Sequence, residues 1–344
     1  MSDLSSKNIL VIQTAFIGDT ILASSFLRAL KVQFPEAKLH FFLRKGNESV
    51  IQGLETVHKV WIWDKNGGKT KNLLKLISQM RETKFDMVFN LHRHFNSGLV
   101  TAMMRSPLKV GFRQNPLSFF YDQKVNHQIP HFEGSVLWHE VQRNLLLLKK
   151  VCPELEIDQD ATSYPPELPL LEKHFDKISP YAQGSYFVMA PASVWFTKAW
   201  SESKYQALAD KLTQVGKVYL IGSPDDVALC ERIRNHHPQI EVLAGKLSLL
   251  DSAALMKKAL RVFVNDSAPL HLASAVGAKM TAIFCSTIKD FGYFPLSKEA
   301  KVIEVQEKLS CRPCGLHGKK SCPLEHFDCS EKISIERVFK TVDV

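Results

Sequence analysis

Apolar positions along the chain form two blocks of short runs alternating with helical stripes, separated by a proline-rich stretch. Residues 8–13 (NILVIQ) are a nearly continuous apolar run, the pattern of a parallel strand buried on both faces. Residues 19–32 follow with Ile21, Leu22, Phe26, Ala29 and Leu30 at helical spacing. Residues 39–43, 60–63, 87–91 and 110–112 predict further strands, with helical patterns such as 72–81 between them. Residues 136–151 (VLWHEVQRNLLLLKKV) predict an amphipathic helix that closes the block. Residues 153–180 hold Pro153, Pro165, Pro166, Pro169 and Pro180 with little periodicity, as a linker does.

The alternation restarts at 186–190 (YFVMA). It continues through helix 201–214, strand 218–221, helix 225–235, strand 240–243, helix 250–260, strand 262–264, helix 270–276 and strand 281–284. Strand–helix alternation of this kind predicts an α/β protein with two doubly wound parallel domains. The boundaries fall at residues 1–165 and 166–330, and residues 331–344 form a terminal helix expected to pack back on the first domain. Ligands of such sheets bind outside the carboxyl ends of the strands, so the loops there are where chemistry is sought. With two facing sheets, the expected site is the cleft between domains.

Composition narrows the class. A chain of 344 residues has room for two cores, and 45% hydrophobic with 23% charged residues is ordinary for a soluble globular protein. No apolar run reaches the roughly 18 residues that span a bilayer. The opening residues read as a first strand, not a signal peptide, so a cytoplasmic protein is expected. Charge is unevenly spread: residues 1–130 carry 18 basic and 9 acidic side chains, whereas residues 131–344 carry 26 of each, so the whole net charge of +9 lies in the first part. Such a half implies an anionic partner.

Three loops carry candidate chemistry. Thr14–Thr20 follows the first strand, with Gly18 for a tight turn and Asp19 at the expected N-cap of the next helix; capping and catalysis are both open for Asp19. Pro191–Trp200 joins a strand to a helix and holds Thr197 and Lys198, which with helix amides suit a phosphate; a surface lysine beside two core tryptophans is the plainer alternative. Val264–His271 repeats the arrangement, with Asp266 and Ser267 able to cap the helix or bond a ligand. His92, Arg93 and His94 follow another strand, and Arg105, Lys109 and Arg113 come soon after, which suits a phosphorylated or carboxylated small acceptor. No base-stacking aromatic pattern accompanies them, so a nucleic-acid partner is not expected.

Gly67-Gly68-Lys69-Thr70 lacks the first glycine of a phosphate-binding P-loop, since Trp63 stands there, and no GxGxxG follows a strand. Of seven cysteines, Cys152, Cys230 and Cys285 read as small buried hydrophobes. Cys311, Cys314, Cys322 and Cys329 form a compact cluster for which a structural metal, free thiols and disulfides all stand open.

Taken in order, several segments resemble those of glycosyltransferase family 9, the ADP-heptose:lipopolysaccharide heptosyltransferases. They are ILVIQTAFIGDTILASSFLRALKVQFPEAKLHFF, HEVQRNLLLL, APASVWFTKAW, and VLAGKLSLLDSAALMKKA followed by VNDSAPLHLASAVGA. The resemblance implies a GT-B fold and an inverting transfer of heptose from ADP-heptose to an inner-core sugar, with Asp19 as general base. It implies a donor site at Thr197, Lys198, Gly222, Ala244, Gly245, Asp266, Ser267, Ala268 and His271. It implies an acceptor site at Gly18, Thr20, Arg93, Arg105 and Arg113, with no cofactor and no metal. The acceptor would be acidic lipopolysaccharide core, reached from the cytoplasm with peripheral contact to the anionic inner membrane. Ala268 departs from the family's usual glycine. Other readings stand beside this one: a transferase using another nucleotide sugar, a nucleotide-sugar epimerase of the same fold, and a non-catalytic nucleotide or glycan binder.

Overall fold

The computed structural model describes residues 7–129 and 138–342, which divide into two compact units: 7–129 with 138–169, and 170–342. In the first unit the order is β1 (Asn8–Ile12), α1 (Ile17–Gln33), β2 (Lys38–Arg44), β3 (Lys59–Trp63), α2 (Lys69–Met80), β4 (Met87–Asn90), α3 (Phe95–Met103), β5 (Lys109–Phe112), β6 (Gln123–Val125) and α4 (Glu140–Lys149). Its strands lie in the order β3-β2-β1-β4-β5-β6, and each adjacent pair is parallel. Ile9 to Ile12 are fully buried, as a central strand covered on both faces demands. Leu10, Ile12, Phe42, Trp63, Leu73 and Val88 belong to one core beneath the sheet.

The second unit comprises α5 (Glu172–Ile178), β7 (Tyr186–Ala190), α6 (Glu202–Leu212), β8 (Lys217–Leu220), α7 (Val227–Arg234), β9 (Ile240–Val242), α8 (Leu249–Lys258), β10 (Arg261–Asn265), α9 (Ala268–Ala275), β11 (Met280–Phe284), β12 (Ala300–Glu304), α10 (Asp328–Glu331) and α11 (Ile335–Phe339). Its sheet runs β12-β11-β10-β7-β8-β9, again parallel throughout.

Each sheet reverses its direction of winding once: between β1 and β4 in the first unit, and between β7 and β10 in the second. At such a switch point the loops leaving two neighbouring strands diverge and open a crevice at their carboxyl ends. Arg93, Lys198 and Asp266 lie in these loops, and Asp19 lies in the first turn of the helix that follows the β1 loop.

Several expectations are corrected. Residues 136 and 137, where the closing helix was expected to start, lie outside the described residues; α4 itself begins at Glu140, with His139 as its cap. Asp19 is not an N-cap: Phe16 holds that position and Asp19 is the third residue of α1. The proline-rich linker contains α5. Within the second unit, α11 lies against α6, and Lys204 Nζ donates to the carbonyls of Ser330 and Ile333 at 3.2 and 2.9 Å. None of the described helices is long and apolar enough to cross a membrane.

Candidate functional site

In the first unit, asparagines at strand ends lock the loops around the switch point. Asn90, the last residue of β4, is fully buried. Its Oδ1 accepts from the His92 N–H at 2.9 Å, and its amide donates to Thr101 Oγ1 and the Tyr121 hydroxyl. Asn115 donates to the carbonyls of His92 and His94 at 3.1 and 3.0 Å. Asn47 donates to Ala15 O at 3.1 Å and to Thr20 Oγ1 at 2.8 Å. Thr20 is therefore buried in loop bonding, whereas the resemblance assigns it to an acceptor. The Thr14 hydroxyl and His92 Nδ1, 2.9 Å apart, join the β1 loop to the β4 loop.

Asp19 lies part-exposed on this frame. Burial, and then the negative charge of Glu140, push its carboxyl up to about 7, against the backbone amides of Asp19 and Phe16 and the charge of Arg93. Burial, His94, Lys65 and Arg93 push the His92 imidazole down to about 3, so it stays neutral at physiological pH. A carboxyl that ionises near neutrality, on a braced helix end, suits removal of a proton from a hydroxyl.

The three arginines part company. Arg93 follows β4 and Arg113 follows β5, both at carboxyl ends of strands, and among the described residues neither has a carboxylate partner. Arg105 lies between α3 and β5, at the amino ends, in a groove with Arg81, Glu82 and Lys84. Parallel strands put the two kinds of loop on opposite edges of the sheet, so Arg105 does not join Asp19 and Arg93. Gly18 is buried in the first turn of α1, one residue from Asp19.

In the second unit, adjacency of β7 and β10 brings their loops into contact. Lys198 Nζ lies 2.7 Å from Asp266 Oδ2, and the Thr287 hydroxyl donates to the same oxygen at 2.6 Å. Asn265, at the end of β10, accepts from the Trp200 N–H and the Tyr205 hydroxyl, both at 3.0 Å, and donates to Pro191 O at 2.8 Å. That single side chain pins both ends of the Lys198 loop. Thr197 is buried; Lys319 N–H donates to its Oγ1 at 2.8 Å and its own N–H donates to Lys319 O at 3.1 Å. Its hydroxyl shapes the loop and is committed to Lys319. The Ser267 hydroxyl makes no cap bond, and Ala268 opens α9. His271 is buried, which drives its imidazole down to about 4, and Nδ1 has no hydrogen-bond partner among the described residues.

Gly222 and Gly245 meet after β8 and β9, where the Gly245 N–H donates to Gly222 O at 3.0 Å. A side chain at Gly222 would strike Asp226 at 2.8 Å, and Gly245 has φ +73°, so each position requires glycine. Ala244 is buried beside them. Lys198, Asp266 and the start of α9 thus gather at the switch point, with the two glycines in the loops after the neighbouring strands. Asn265 and Thr287 were not singled out from the sequence, though a lone Asn ending an apolar run (RVFVN) is the visible signal.

Cys311, Cys314, Cys322 and Cys329 line a cavity of about 450 Å³ with Lys319, Thr197 and His326. All four are free thiols. Burial and the Cys314 thiol push Cys329 up to about 12. Among the described residues, no three His, Cys, Asp or Glu side chains are disposed to hold a metal ion.

The model of a family described as "Glycosyltransferase family 9 (heptosyltransferase)" matches residues 73–326. The "Lipopolysaccharide heptosyltransferase 3" of Escherichia coli is 26% identical over 286 residues, covering 79% of this chain and 82% of that protein. Among solved structures, the Escherichia coli "ADP-heptose lps heptosyltransferase II" superposes with a TM-score of 0.78 at 21% identity, covering 98% of this chain and 97% of that one. The Escherichia coli "heptosyltransferase WaaC with ADP-2-deoxy-2-fluoro heptose" gives a TM-score of 0.71 at 18% identity, with 98% and 99% covered. Both show that the fold is of the GT-B class.

Proposed function

The chain belongs to glycosyltransferase family 9, and we propose that it transfers heptose from ADP-heptose to the inner core of lipopolysaccharide with inversion. The acceptor hydroxyl oxygen attacks the anomeric carbon while the bond from that carbon to the β-phosphate oxygen breaks. The electron pair leaves with ADP and the hydroxyl proton passes to Asp19. One base suffices for direct displacement, whereas retention by double displacement needs a carboxylate nucleophile as well. Lys198, the start of α9 at Ser267 and Ala268, and the close-packed Gly222–Gly245 backbone form the donor side, where positive charge and amides stabilise the departing diphosphate. Arg93 and Arg113 serve the anionic acceptor. The basic excess of residues 1–130 favours the anionic cytoplasmic leaflet of the inner membrane.

The observation that carries this reading is the Asp19 carboxyl poised at about 7 at the switch point of the first sheet. The test is ADP release from ADP-heptose with and without a truncated, phosphorylated core acceptor. Release that requires the acceptor, with a heptosylated product, is expected. Release only from another nucleotide sugar, or epimerisation of a donor without acceptor, contradicts it. Tight ADP binding with no turnover leaves a binding protein.

A further inference from the structure

The cysteine-rich segment after β12 supplies no group to the reaction above, yet Lys198 rests on it. Thr197 and Lys319 exchange two hydrogen bonds, at 3.1 and 2.8 Å. The Cys314 N–H donates to Ser286 O at 2.9 Å, and the Ser286 N–H donates to Thr197 O at 3.2 Å. Arg312 Nε donates to Cys285 O at 2.6 Å, and a terminal nitrogen donates to Thr287 O at 2.6 Å. Glu304 Oε1, 2.6 Å from that nitrogen, balances the charge. One end of the segment thus fixes the loop carrying Thr287, whose hydroxyl holds Asp266. The other end fixes the residue before Lys198.

Between these ties lies Gly318, with φ +74°. A Cβ built there would stand 2.8 Å from Lys198 Cγ, 3.1 Å from Thr197 Oγ1 and 3.3 Å from Ser286 Oγ. The lysine stem therefore lies directly against the bare Cα. It has little freedom to yield. The Lys198 N–H donates to Trp195 O at 3.0 Å, Nζ is held by Asp266 at 2.7 Å, and the side chain is only 15% exposed. Gly315, in the same segment, also has a positive φ of +88°, but a Cβ there meets nothing within 4 Å. Left-handed backbone favours glycine at both positions. Close approach to Lys198 is particular to Gly318.

We propose that Gly318 is a positioning residue for Lys198, and that the segment from Arg312 to Lys319 is the support that sets this lysine for an anionic donor. The bare Cα lets the stem lie where Nζ reaches Asp266, and the ties at Thr197, Ser286 and Arg312 hold the support in place. An ammonium already set in position loses little freedom when it meets a diphosphate. This rests on the donor role proposed for Lys198 above.

The test compares Gly318→Ala with Gly315→Ala, which brings a similar backbone strain to the same segment without touching Lys198. ADP affinity is measured by calorimetry. The setting of Lys198 is followed by the NMR signal of its isotopically methylated ammonium, assigned by its loss in Lys198→Arg. Gly318→Ala is expected to shift that signal and to raise the ADP Kd about tenfold, with the acceptor KM unchanged, and Gly315→Ala to do neither. In a Lys198→Ala background, where Cγ is gone, Gly318→Ala is expected to have no further effect on ADP affinity. Equal losses in the two glycine variants, or a loss that persists in Lys198→Ala, make the segment structural only and overturn the proposal. A Lys198 signal that stays in place in Gly318→Ala overturns it too. A shifted signal with unchanged ADP affinity upholds the positioning and removes Lys198 from donor binding, so the two failures are told apart. Should Gly318→Ala not fold, Thr197→Val takes away the hydroxyl that accepts from Lys319 and is read in the same way, with Thr197→Ser expected to restore affinity.

Discussion

Asp19 and Asp266 occupy comparable places in two sheets of the same design: each follows a central strand at the point where winding reverses. Their surroundings differ in kind. Asp266 meets an ammonium at 2.7 Å and a hydroxyl at 2.6 Å, so its charge is matched on the spot. Asp19 has burial and a second carboxylate working against ionisation, with Arg93 and backbone amides only partly compensating. One acid is an anchor that holds Lys198, on the side proposed for the donor. The other is left poised between protonation states, which is the condition a general base requires. The doubly wound fold thus supplies two equivalent crevices, and the neighbours of a single carboxyl decide what each one does.

The comparison can be broken at either acid. Asp19→Asn is expected to lower acceptor-dependent turnover by about a thousandfold while ADP affinity, measured by calorimetry, stays within a few-fold of wild type. Lys198→Ala should act on the other half, reducing kcat/KM for the donor by about a hundredfold and weakening ADP binding itself. Equal effects of the two changes on ADP binding would erase the division of labour.

Stability should separate the acids in sign. A carboxyl with a raised folded value contributes nothing below its unfolded value near 4, and costs stability as pH rises from there through about 7. Asp19→Asn is therefore expected to stabilise the protein by about 2 kcal/mol at pH 8, allowing for partial exposure, and to be neutral near pH 4. Asp266→Asn leaves Lys198 without its counter-charge and is expected to destabilise by a similar amount at pH 8. Thermal melts at both pH values check this. The smallest effect concerns the arginines: Arg93→Ala should raise the acceptor KM about tenfold, and Arg105→Ala, on the far edge of the sheet, should leave it unchanged. A matching rise in both would return Arg105 to the acceptor site.

The central strands were legible in the sequence because burial on both faces writes them as unbroken apolar runs, as in YFVMA for β7. Elements at the margins were not. Strand β6 is Gln-Lys-Val, an edge with no apolar run, and α3 contains Asn, Ser and Gly among its first residues. Strand-end position marked Asp19, Lys198 and Asp266 as candidates, since a parallel sheet presents its carboxyl-end loops together, and the family resemblance supplied their expected roles. The Lys198–Asp266 contact could not be read, because it depends on β10 lying beside β7 with β8 and β9 outside. Arg105 was misplaced for the opposite reason: basic residues after a helix and after a strand look alike in one dimension. The buried Glu140–His127 contact is invisible locally as well, since the two lie thirteen positions apart. Its one signal is a Glu–Arg pair three apart inside a helix that is otherwise buried.

The central claim is that Asp19 takes the acceptor proton, and the pH dependence of heptosyl transfer at saturating donor and acceptor tests it most directly. Turnover of the wild type should be constant above neutrality and fall tenfold per pH unit below about 7, and the residual activity of Asp19→Asn should show no such limb. A wild-type limb near pH 4, or the same limb retained in Asp19→Asn, would assign the proton to another group.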